Sequence, residues 1–256
     1  MADRKRVLIT GVSGQIGGVV RDALKDIHDV AGIDIRAPQD FEATVADMTD
    51  LEAILPAFEG IDTVVDLANN PAGNLSWHHA YRNNIPAAYN CLEAARRAGV
   101  KRVIFASSNR ASENYELDQP YANICAGDYT GLTPGGFPLV TPDMPVRPSG
   151  PYGIAKCMGE AAGRYFSDRH GLSFIALRFG TVRRDSRPSN VRHFATLLSH
   201  RDLGHLVERC VAAPDSLRAA TFFGVSNNDW KFWDISNAKE LIGFDPQDNM
   251  EVYREA

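Results

Sequence analysis

Two side chains in the segment Tyr-Gly-Ile-Ala-Lys, those of Tyr152 and Lys156, have types and a spacing that suit proton transfer. Residues four apart on a helix project from the same face, so the phenol and the ammonium are expected to lie together. A nearby ammonium lowers the pKa of a phenol, and the phenolate can then accept the proton of a substrate hydroxyl while hydride leaves for a nicotinamide. This spacing is common in proteins, but here a predicted strand ending in Ser107 and Ser108 precedes it.

A second pattern, the three glycines of Gly-Val-Ser-Gly-Gln-Ile-Gly, closes the first predicted strand and opens a helix. Gly11, Gly14 and Gly17 let the backbone turn tightly and approach a pyrophosphate, which the N–H groups at the start of the helix then bind. Their spacing departs from the usual G-x-G-x-x-G pattern. Asp34 ends the second predicted strand, 23 residues after Gly11, where a carboxylate accepts hydrogen bonds from an adenosine ribose. These features predict a dinucleotide site.

The cofactor preference depends on two residues at the end of the second predicted strand. The carboxylate of Asp34 favours NAD, because it would repel the 2′-phosphate that distinguishes NADP. The guanidinium of Arg36, two residues further on, suits a phosphate and leaves the use of NADP open. Arg36 could equally be a solvated side chain or one that stacks on adenine.

The elements that must position these residues alternate along the first two thirds of the chain. Short apolar segments typical of buried strands occupy 6–10, 30–34, 63–68, 102–108 and 174–179. Amphipathic segments typical of helices occupy 16–26, 50–58, 84–98 and 152–169. A repeated order of strand, helix and strand predicts a parallel sheet covered by helices on both faces, which is the doubly wound α/β or Rossmann fold.

Two segments do not follow this alternation of strands and helices, and they determine the predicted domain organisation. The stretch 109–148 is rich in Pro, Gly, Asn, Asp and Tyr, and a loop of this length in a compact domain is usually functional or mobile. Later in the chain, 203–211 has a helical pattern and 221–225 resembles a strand. We expect a single Rossmann-type domain over 1–256, with a dinucleotide-binding core at 1–180 and a small substrate-covering C-terminal lobe at 181–256.

Composition and charge exclude several classes of function. The chain has 256 residues, 44% of them apolar, so its core can carry stability without metal ions or disulfides. Lys plus Arg number 27 and Asp plus Glu number 32, a net charge of −5 that provides no positive field for nucleic acid. The four cysteines lack zinc-ligand spacing, and no apolar run approaches the ~20 residues of a membrane span. We expect a soluble, cytoplasmic protein that binds no metal, nucleic acid or membrane.

Several segments carry a resemblance to a known family. They are Phe-Ala-Ser-Ser-Asn, Arg-Pro-Ser-Gly-Pro-Tyr-Gly-Ile-Ala-Lys-Cys-Met-Gly-Glu, Leu-Ser-His-Arg-Asp, and Trp-Lys-Phe-Trp-Asp-Ile-Ser with the later Gly-Phe-Asp-Pro-Gln-Asp-Asn. With them, the chain from Gly11 through the tail resembles the extended, epimerase/dehydratase branch of the short-chain dehydrogenase/reductase superfamily. Within that branch it is similar to the uronate dehydrogenases and to the archaeal NAD-dependent sugar and glucose-6-phosphate dehydrogenases.

The resemblance implies four catalytic roles. Tyr152 would be the general acid and base, and Lys156 would hold the nicotinamide ribose and lower the pKa of the Tyr152 phenol. Ser108 would donate a hydrogen bond to the reacting oxygen. Asn84 matches an asparagine that supports a proton-relay water, although it could also be a structural helix cap.

The resemblance also implies which residues contact the cofactor and the substrate. The cofactor set is Gly11, Gly14, Gln15, Ile16, Gly17, Asp34, Ile35, Arg36, Asp47, Met48, Leu67, Ala68, Asn69, Tyr152, Lys156 and Val182. The substrate set is Ser108, Asn109, Arg110, Tyr152, Thr181 and Arg192, in which Arg192 would bind a carboxylate. Three residues depart from the family pattern. Arg110 and Asp66 each stand where the relatives have a histidine, and Pro71 stands where the uronate dehydrogenases have a substrate-contacting serine.

These features lead to one expected activity and two alternatives. We expect an NAD-dependent dehydrogenase that oxidises the C1 hydroxyl of a cyclic aldose to the lactone. Guanidinium groups suit an acidic sugar, and the arginines expected near the nicotinamide are Arg110, Arg183, Arg184, Arg187 and Arg192. The alternatives are a nucleotide-sugar epimerase or dehydratase with tightly bound NAD, and a dinucleotide-sensing protein without turnover. The resemblance further implies a homodimer, or a higher homo-oligomer, in which helices 84–98 and 152–169 pair across a two-fold axis.

Overall fold

The centre of the structure is a parallel β-sheet. The computed structural model describes residues 4–70 and 76–254. Within them the strands are β1 (Arg6–Thr10), β2 (Asp29–Asp34), β3 (Thr44–Val45), β4 (Thr63–Asp66), β5 (Arg102–Ser108), β6 (Ser173–Phe179) and β7 (Ala219–Gly224). They pair in parallel in the order β3-β2-β1-β4-β5-β6-β7. This is the strand order of a doubly wound dinucleotide-binding sheet with one added edge strand, and it confirms the predicted fold class.

Helices cover both faces of the sheet. They are α1 (Gln15–Leu24), α2 (Leu51–Ile54), α3 (Trp77–His79), α4 (Ile85–Ala98), α5 (Tyr121–Ala126), α6 (Pro151–His170), α7 (His193–Thr196), α8 (His200–Val211) and α9 (Ser236–Ile242). Helices α1 and α8 pack together, as do α4 and α6. Helices α1, α4, α6 and α8 agree with four of the helical segments predicted from the sequence, whereas the segment 50–58 forms the short α2 and then a 3-10 turn at Leu55–Phe58.

Strand β1 shows how the sheet divides the apolar core into two layers. Val7 and Ile9 belong to one cluster, which contains Leu203 of α8, whereas Leu8 belongs to a second cluster with Phe166 of α6. Successive side chains of a strand point to opposite faces, so a fully apolar strand must be covered on both. The unbroken apolar segments of the sequence reflect this burial.

Local sequence signals determine where several helices begin and end. The side chains of Asp50 and Ser199 each accept a hydrogen bond from the backbone N–H three residues later, at 3.2 and 3.1 Å, and so cap α2 and α8. Helix α4 ends at Gly99, whose φ of 76° is left-handed. Helix α1 differs because its N-cap, Gly14, provides no side-chain cap. The N-cap residue of α1 therefore leaves space beside the first N–H groups of the helix.

The segment 109–148 is more ordered than the sequence predicts. It was expected as one long loop, but it contains α5 and the 3-10 turns Asn109–Ala111 and Glu113–Leu117. The aromatic residues that break its periodicity are packed: Tyr115 is buried, and the ring of Tyr129 stacks on Trp230 with 4.0 Å between centroids. Aromatic contacts with the C-terminal part of the chain therefore hold this segment in place, although its sequence has no regular periodicity.

The C-terminal part of the chain contributes to the main sheet. Strand β7, expected at 221–225, pairs in parallel with β6. The short strand β3, which follows β2 at the opposite edge, was not predicted. Residues after 180 therefore extend the central sheet, while a substrate-covering role for 181–256 stays a prediction.

The described residues also bear on membrane and metal binding. None of their helices combines the length and the apolar character that crossing a membrane requires. Over the same residues, no group of three His, Cys, Asp or Glu side chains is placed to hold a metal ion. The four cysteines, at 91, 125, 157 and 210, are free thiols.

Candidate active site

A cavity of about 1020 Å³ opens at the carboxyl ends of the strands. It lies where the strand order reverses between β1 and β4, the point at which open α/β sheets bind ligands. Every residue that the sequence assigned to catalysis, cofactor or substrate contributes to its lining. The structure therefore brings the whole predicted set together around one space, and the individual roles stay predictions.

The glycine loop is built so that only glycine fits at two of its positions. Gly11 has a φ of +68°, and a Cβ there would lie 2.9 Å from the Cα of Ala68. A Cβ on Gly17 would lie 2.3 Å from the backbone oxygen of Gly11. The first turn of α1 is thereby pressed against the loop, with Gly14 at its exposed start. This cradle of backbone N–H groups fits the pyrophosphate of a dinucleotide.

The end of β2 supplies the surroundings expected for an adenosine. One oxygen of the Asp34 carboxylate accepts the backbone N–H of Ser13 at 2.9 Å, and the Ser13 hydroxyl donates to the carbonyl of Arg36 at 2.6 Å. Ser13 thus ties the carboxylate to the glycine loop, a role that the sequence reasoning missed. Arg36 is exposed at this end of the cavity, and the use of NADP through it stays a prediction.

The segment that follows β3 also lines this part of the cavity, and hydrogen bonds within it fix its conformation. Asp47 accepts hydrogen bonds from the backbone N–H and the hydroxyl of Thr49, both at 2.8 Å. Met48 is buried, and its carbonyl accepts a hydrogen bond from Asn90 of α4 at 3.0 Å. These bonds fix Asp47 and Met48, which the family resemblance places in the cofactor set.

Lys156 is a buried ammonium at the floor of the cavity. Its Nζ donates to the carbonyl of Ala106 at 2.5 Å and lies 5.6 Å from the ring centroid of Tyr152. Burial lowers the pKa of Lys156 to about 8, against the raising effect of the negative charges of Asp66 and Glu160. The helical spacing thus brings the phenol and the ammonium together, as predicted.

Burial has the largest influence on the Tyr152 phenol in this structure, and the lowering of its pKa by Lys156 stays a prediction. Burial raises the pKa of the Tyr152 phenol to about 12, and the cation that opposes this is Arg110. Hydrogen bonds with Asn69 and Ser108 also act to lower that pKa. The sequence could show the spacing of the pair but not the desolvation of the phenol, which outweighs the neighbouring charges.

Ser108 stands at the end of β5 within a hydrogen-bonded turn. Its Oγ accepts the backbone N–H of Arg110 at 3.2 Å and donates to the Asn109 side-chain oxygen at 3.3 Å. The preceding Ser107 donates to Glu160 of α6 at 2.5 Å, and that carboxylate also accepts two hydrogen bonds from buried Arg178, at 2.9 and 2.8 Å. This network fixes the end of β5 against the helix that carries Tyr152.

Asn84 has both polar atoms of its side chain in use. It lies in a π-helical turn, Ala80–Asn84, and its Oδ1 accepts the backbone N–H of Asn70 while its Nδ2 donates to the carbonyl of the same residue, each at 3.2 Å. The side chain therefore clamps the segment that follows β4. A role in holding a proton-relay water stays a prediction.

The predicted substrate end contains acidic residues as well as arginines. Arg192 donates to Glu116 from Nε at 2.5 Å and from Nη2 at 2.6 Å, and Nη2 also lies 3.1 Å from Glu113. Its Nη1 donates to Thr181 Oγ1 at 3.2 Å. Arg110 lies 3.2 Å from the other oxygen of Glu113.

Sequence reasoning missed both glutamates at this end of the cavity. A signal for one of them was present, because Glu113 follows Arg110 at the i,i+3 spacing of an ion pair. The pairing of Arg192 with Glu116 joins residues 76 positions apart and has no such signal. The other arginines expected here, Arg183, Arg184 and Arg187, are not among the residues that line the cavity. Arg183 pairs with Asp185, and Arg187 lies 5.4 Å from the ring centroid of Tyr253. Pro71, which also departs from the family pattern, lies outside the described residues.

Comparisons with known proteins agree with this geometry. Residues 7–202 match the model of the NAD dependent epimerase/dehydratase family. An NAD-dependent glucose-6-phosphate dehydrogenase and an L-arabinose 1-dehydrogenase (NAD(P)(+)), both of Haloferax volcanii, are each 34% identical to the chain over 95% of its length, covering 93% and 97% of those proteins. The crystal structure of a uronate dehydrogenase from Agrobacterium tumefaciens aligns with a TM-score of 0.82 and 31% identity, over 100% of this chain and 88% of that one.

Proposed function

The chain belongs to the NAD-dependent epimerase/dehydratase family and is an NAD-dependent sugar dehydrogenase, and from this premise we propose that it oxidises the C1 hydroxyl of a cyclic aldose to the lactone. One observation carries the proposal: the Tyr152 phenol, the Ser108 hydroxyl and the Lys156 ammonium line the same cavity as the glycine loop. A proton acceptor thus faces the space in which a sugar would meet the cofactor.

The residues present fit NAD, which supplies the hydride acceptor when it is bound. The glycine loop and the first turn of α1 would hold its pyrophosphate, and Asp34 would accept hydrogen bonds from its adenosine ribose. Lys156 would donate to the nicotinamide ribose from the floor of the cavity. The buried Met48 would contact the adenine.

The chain's own residues carry the proton in this reaction. Ser108 donates a hydrogen bond to the sugar oxygen and keeps it next to the phenol. Tyr152 accepts the proton of the C1 hydroxyl as the carbonyl of the lactone forms. Asn69, which hydrogen-bonds the phenol, and the positive charge of Arg110 stabilise the phenolate while it exists.

Carbon 1 is proposed as the site of oxidation for a chemical reason and by analogy. The anomeric carbon bears both the ring oxygen and the hydroxyl, so removal of its hydride is assisted by the ring oxygen and gives an ester directly. The name of the L-arabinose relative assigns its reaction to the same carbon. The expectation of an acidic sugar depended on five arginines, of which only Arg110 and Arg192 line the cavity, and both of these are in ion pairs in the structure.

An isotope experiment tests the proposed position of attack. With an aldose that carries deuterium only at C1, we expect the deuterium to appear in the reduced nicotinamide, and hydroxylamine to trap the lactone as a hydroxamate. The same aldose deuterated at C2 is the control and should give unlabelled NADH. Label transferred from C2, or sugar conversion without net NADH, would contradict C1 dehydrogenation.

Replacing the phenol tests the proposed base. We expect Tyr152→Phe to lower kcat by about 10²–10⁴-fold, because loss of a general base typically has this effect, while NAD binding measured by fluorescence titration is retained. Tyr165→Phe, on the same helix but half exposed, is the matched control and should keep full activity. An active Tyr152→Phe enzyme would show that another group takes the proton.

We further propose that the protein is a homodimer through the face made by α4 and α6. These helices pack side by side and expose four large apolar side chains, those of Tyr89, Ile154, Met158 and Tyr165. Exposed apolar side chains on two adjacent helices suit a symmetric contact in which a second copy supplies the same face.

Charge placed on this face should separate the subunits. We expect light scattering after gel filtration to give the mass of a dimer for the native chain and of a monomer for the double variant Tyr89→Asp, Met158→Asp. Leu241→Asp, which puts the same charge on an exposed apolar site of α9, should remain dimeric. A native monomer, or a double variant with the native mass, would refute this interface.

A further inference from the structure

We propose that the sugar oxidised at this site is uncharged, and that Glu113 is the residue that selects it against acidic sugars. The inference rests on the proposed function, because it concerns the substrate end of the same cavity. Glu113 lines that cavity together with Arg110, Thr181 and Arg192. It lies outside the set of residues that the sequence singled out.

The guanidinium of Arg192 is already fully engaged by the protein. Glu116 accepts hydrogen bonds from Nε and Nη2 in a two-point contact, Glu113 accepts from Nη2, and Thr181 accepts from Nη1. The negative charge of Glu116 raises the pKa of Arg192 despite its burial, and Glu113 adds to this effect. A guanidinium binds a carboxylate through two parallel hydrogen bonds, and Glu116 already accepts both of them from Arg192. A substrate carboxylate could bind in the same way only by displacing Glu116.

Displacing Glu116 would be unfavourable because the side chain has little access to water. The exposed fraction of its side chain is 11%, against 25% for Arg192. A buried charge that loses its partner is strongly destabilising. The ion pair therefore occupies the guanidinium to which the carboxylate of an acidic sugar would have to bind.

Glu113 neutralises the second arginine of the pocket. Its Oε2 lies 3.2 Å from Arg110 Nη1 and also accepts the hydroxyl of Ser149, while its Oε1 faces Arg192. Two arginines and two glutamates therefore meet with their charges balanced. A carboxylate or phosphate brought here would approach Glu113 with like charge, and both of the guanidinium groups beside it are already in ion pairs.

The same carboxylate is well suited to a neutral sugar. An ionised glutamate is a hydrogen-bond acceptor with several lone pairs, and sugar hydroxyls are donors. The side chain of Glu113 keeps 17% of its surface exposed, and it lines the cavity. A hydroxyl or hydroxymethyl group can therefore bind where a carboxylate would be repelled.

Pairs of sugars that differ only at C6 test the inference on the native enzyme with NAD. D-Galactose is compared with D-galacturonate, and D-glucose with D-glucuronate and glucose 6-phosphate; L-arabinose adds a neutral sugar without C6. We expect the best neutral sugar to have a kcat/KM at least about tenfold above that of its acidic partner. A native preference for the acidic partner would overturn the inference and leave the dehydrogenase proposal intact. Absence of NAD reduction with every sugar would overturn both.

A variant of the same shape identifies the residue responsible. Glu113→Gln removes one negative charge, so we expect the ratio of neutral to acidic kcat/KM to fall at least about tenfold, with a lower KM for the acidic sugar. Glu59→Gln makes the same change at an exposed site outside the cavity lining and should keep the native ratio. An unchanged ratio in a folded Glu113→Gln enzyme would show that Glu113 does not select the substrate. The comparison on the native enzyme decides the class of sugar even if this variant fails to fold.

Discussion

The active site depends on an ammonium group that is buried beneath a phenol. Moving the charge of Lys156 out of water is costly, and the structure offsets this cost with the Ala106 carbonyl, the ring of Phe105 at 4.8 Å and the negative charges of Asp66 and Glu160. These groups come from three elements: Phe105 and Ala106 from β5, Asp66 from β4 and Glu160 from α6. The ammonium on α6 is therefore stabilised only where this helix packs against β4 and β5.

One of these partners links the catalytic pair to the cofactor site. Burial raises the pKa of Asp66 to about 6, and its strongest opposing contact is a hydrogen bond of 2.6 Å from Thr10. The Thr10 hydroxyl also accepts the backbone N–H groups of Leu67 and Ala68 at 3.1 and 3.0 Å. A carboxylate that stabilises the ammonium thus also holds the segment that packs against Gly11 of the glycine loop.

The sequence could predict those parts of the site that follow from periodicity and from local backbone chemistry. Unbroken apolar strands implied a sheet buried on both faces, and the glycines with Asp34 implied a dinucleotide at its carboxyl edge. What it could not show depends on distances between remote residues. Arg192 was expected to bind a substrate carboxylate with a free positive charge, but its ion pair with Glu116 neutralises that charge. The raised pKa of Tyr152 likewise follows from burial, which no spacing reveals.

The decisive measurement of whether the Tyr152 phenol takes the proton beside a charged Lys156 is the pH dependence of kcat/KM for NAD reduction by the native enzyme. This quantity reports the ionisation of groups in the free enzyme. The Tyr152 phenol, with its pKa raised to about 12, is protonated near neutral pH, and the fraction that can accept a proton grows as the pH rises. The Lys156 ammonium, with its pKa lowered to about 8, loses its charge above that pH. We therefore expect kcat/KM to increase from about pH 6 to about pH 8 and then to level off or fall. A value of kcat/KM that is constant or decreasing over that lower range would contradict it.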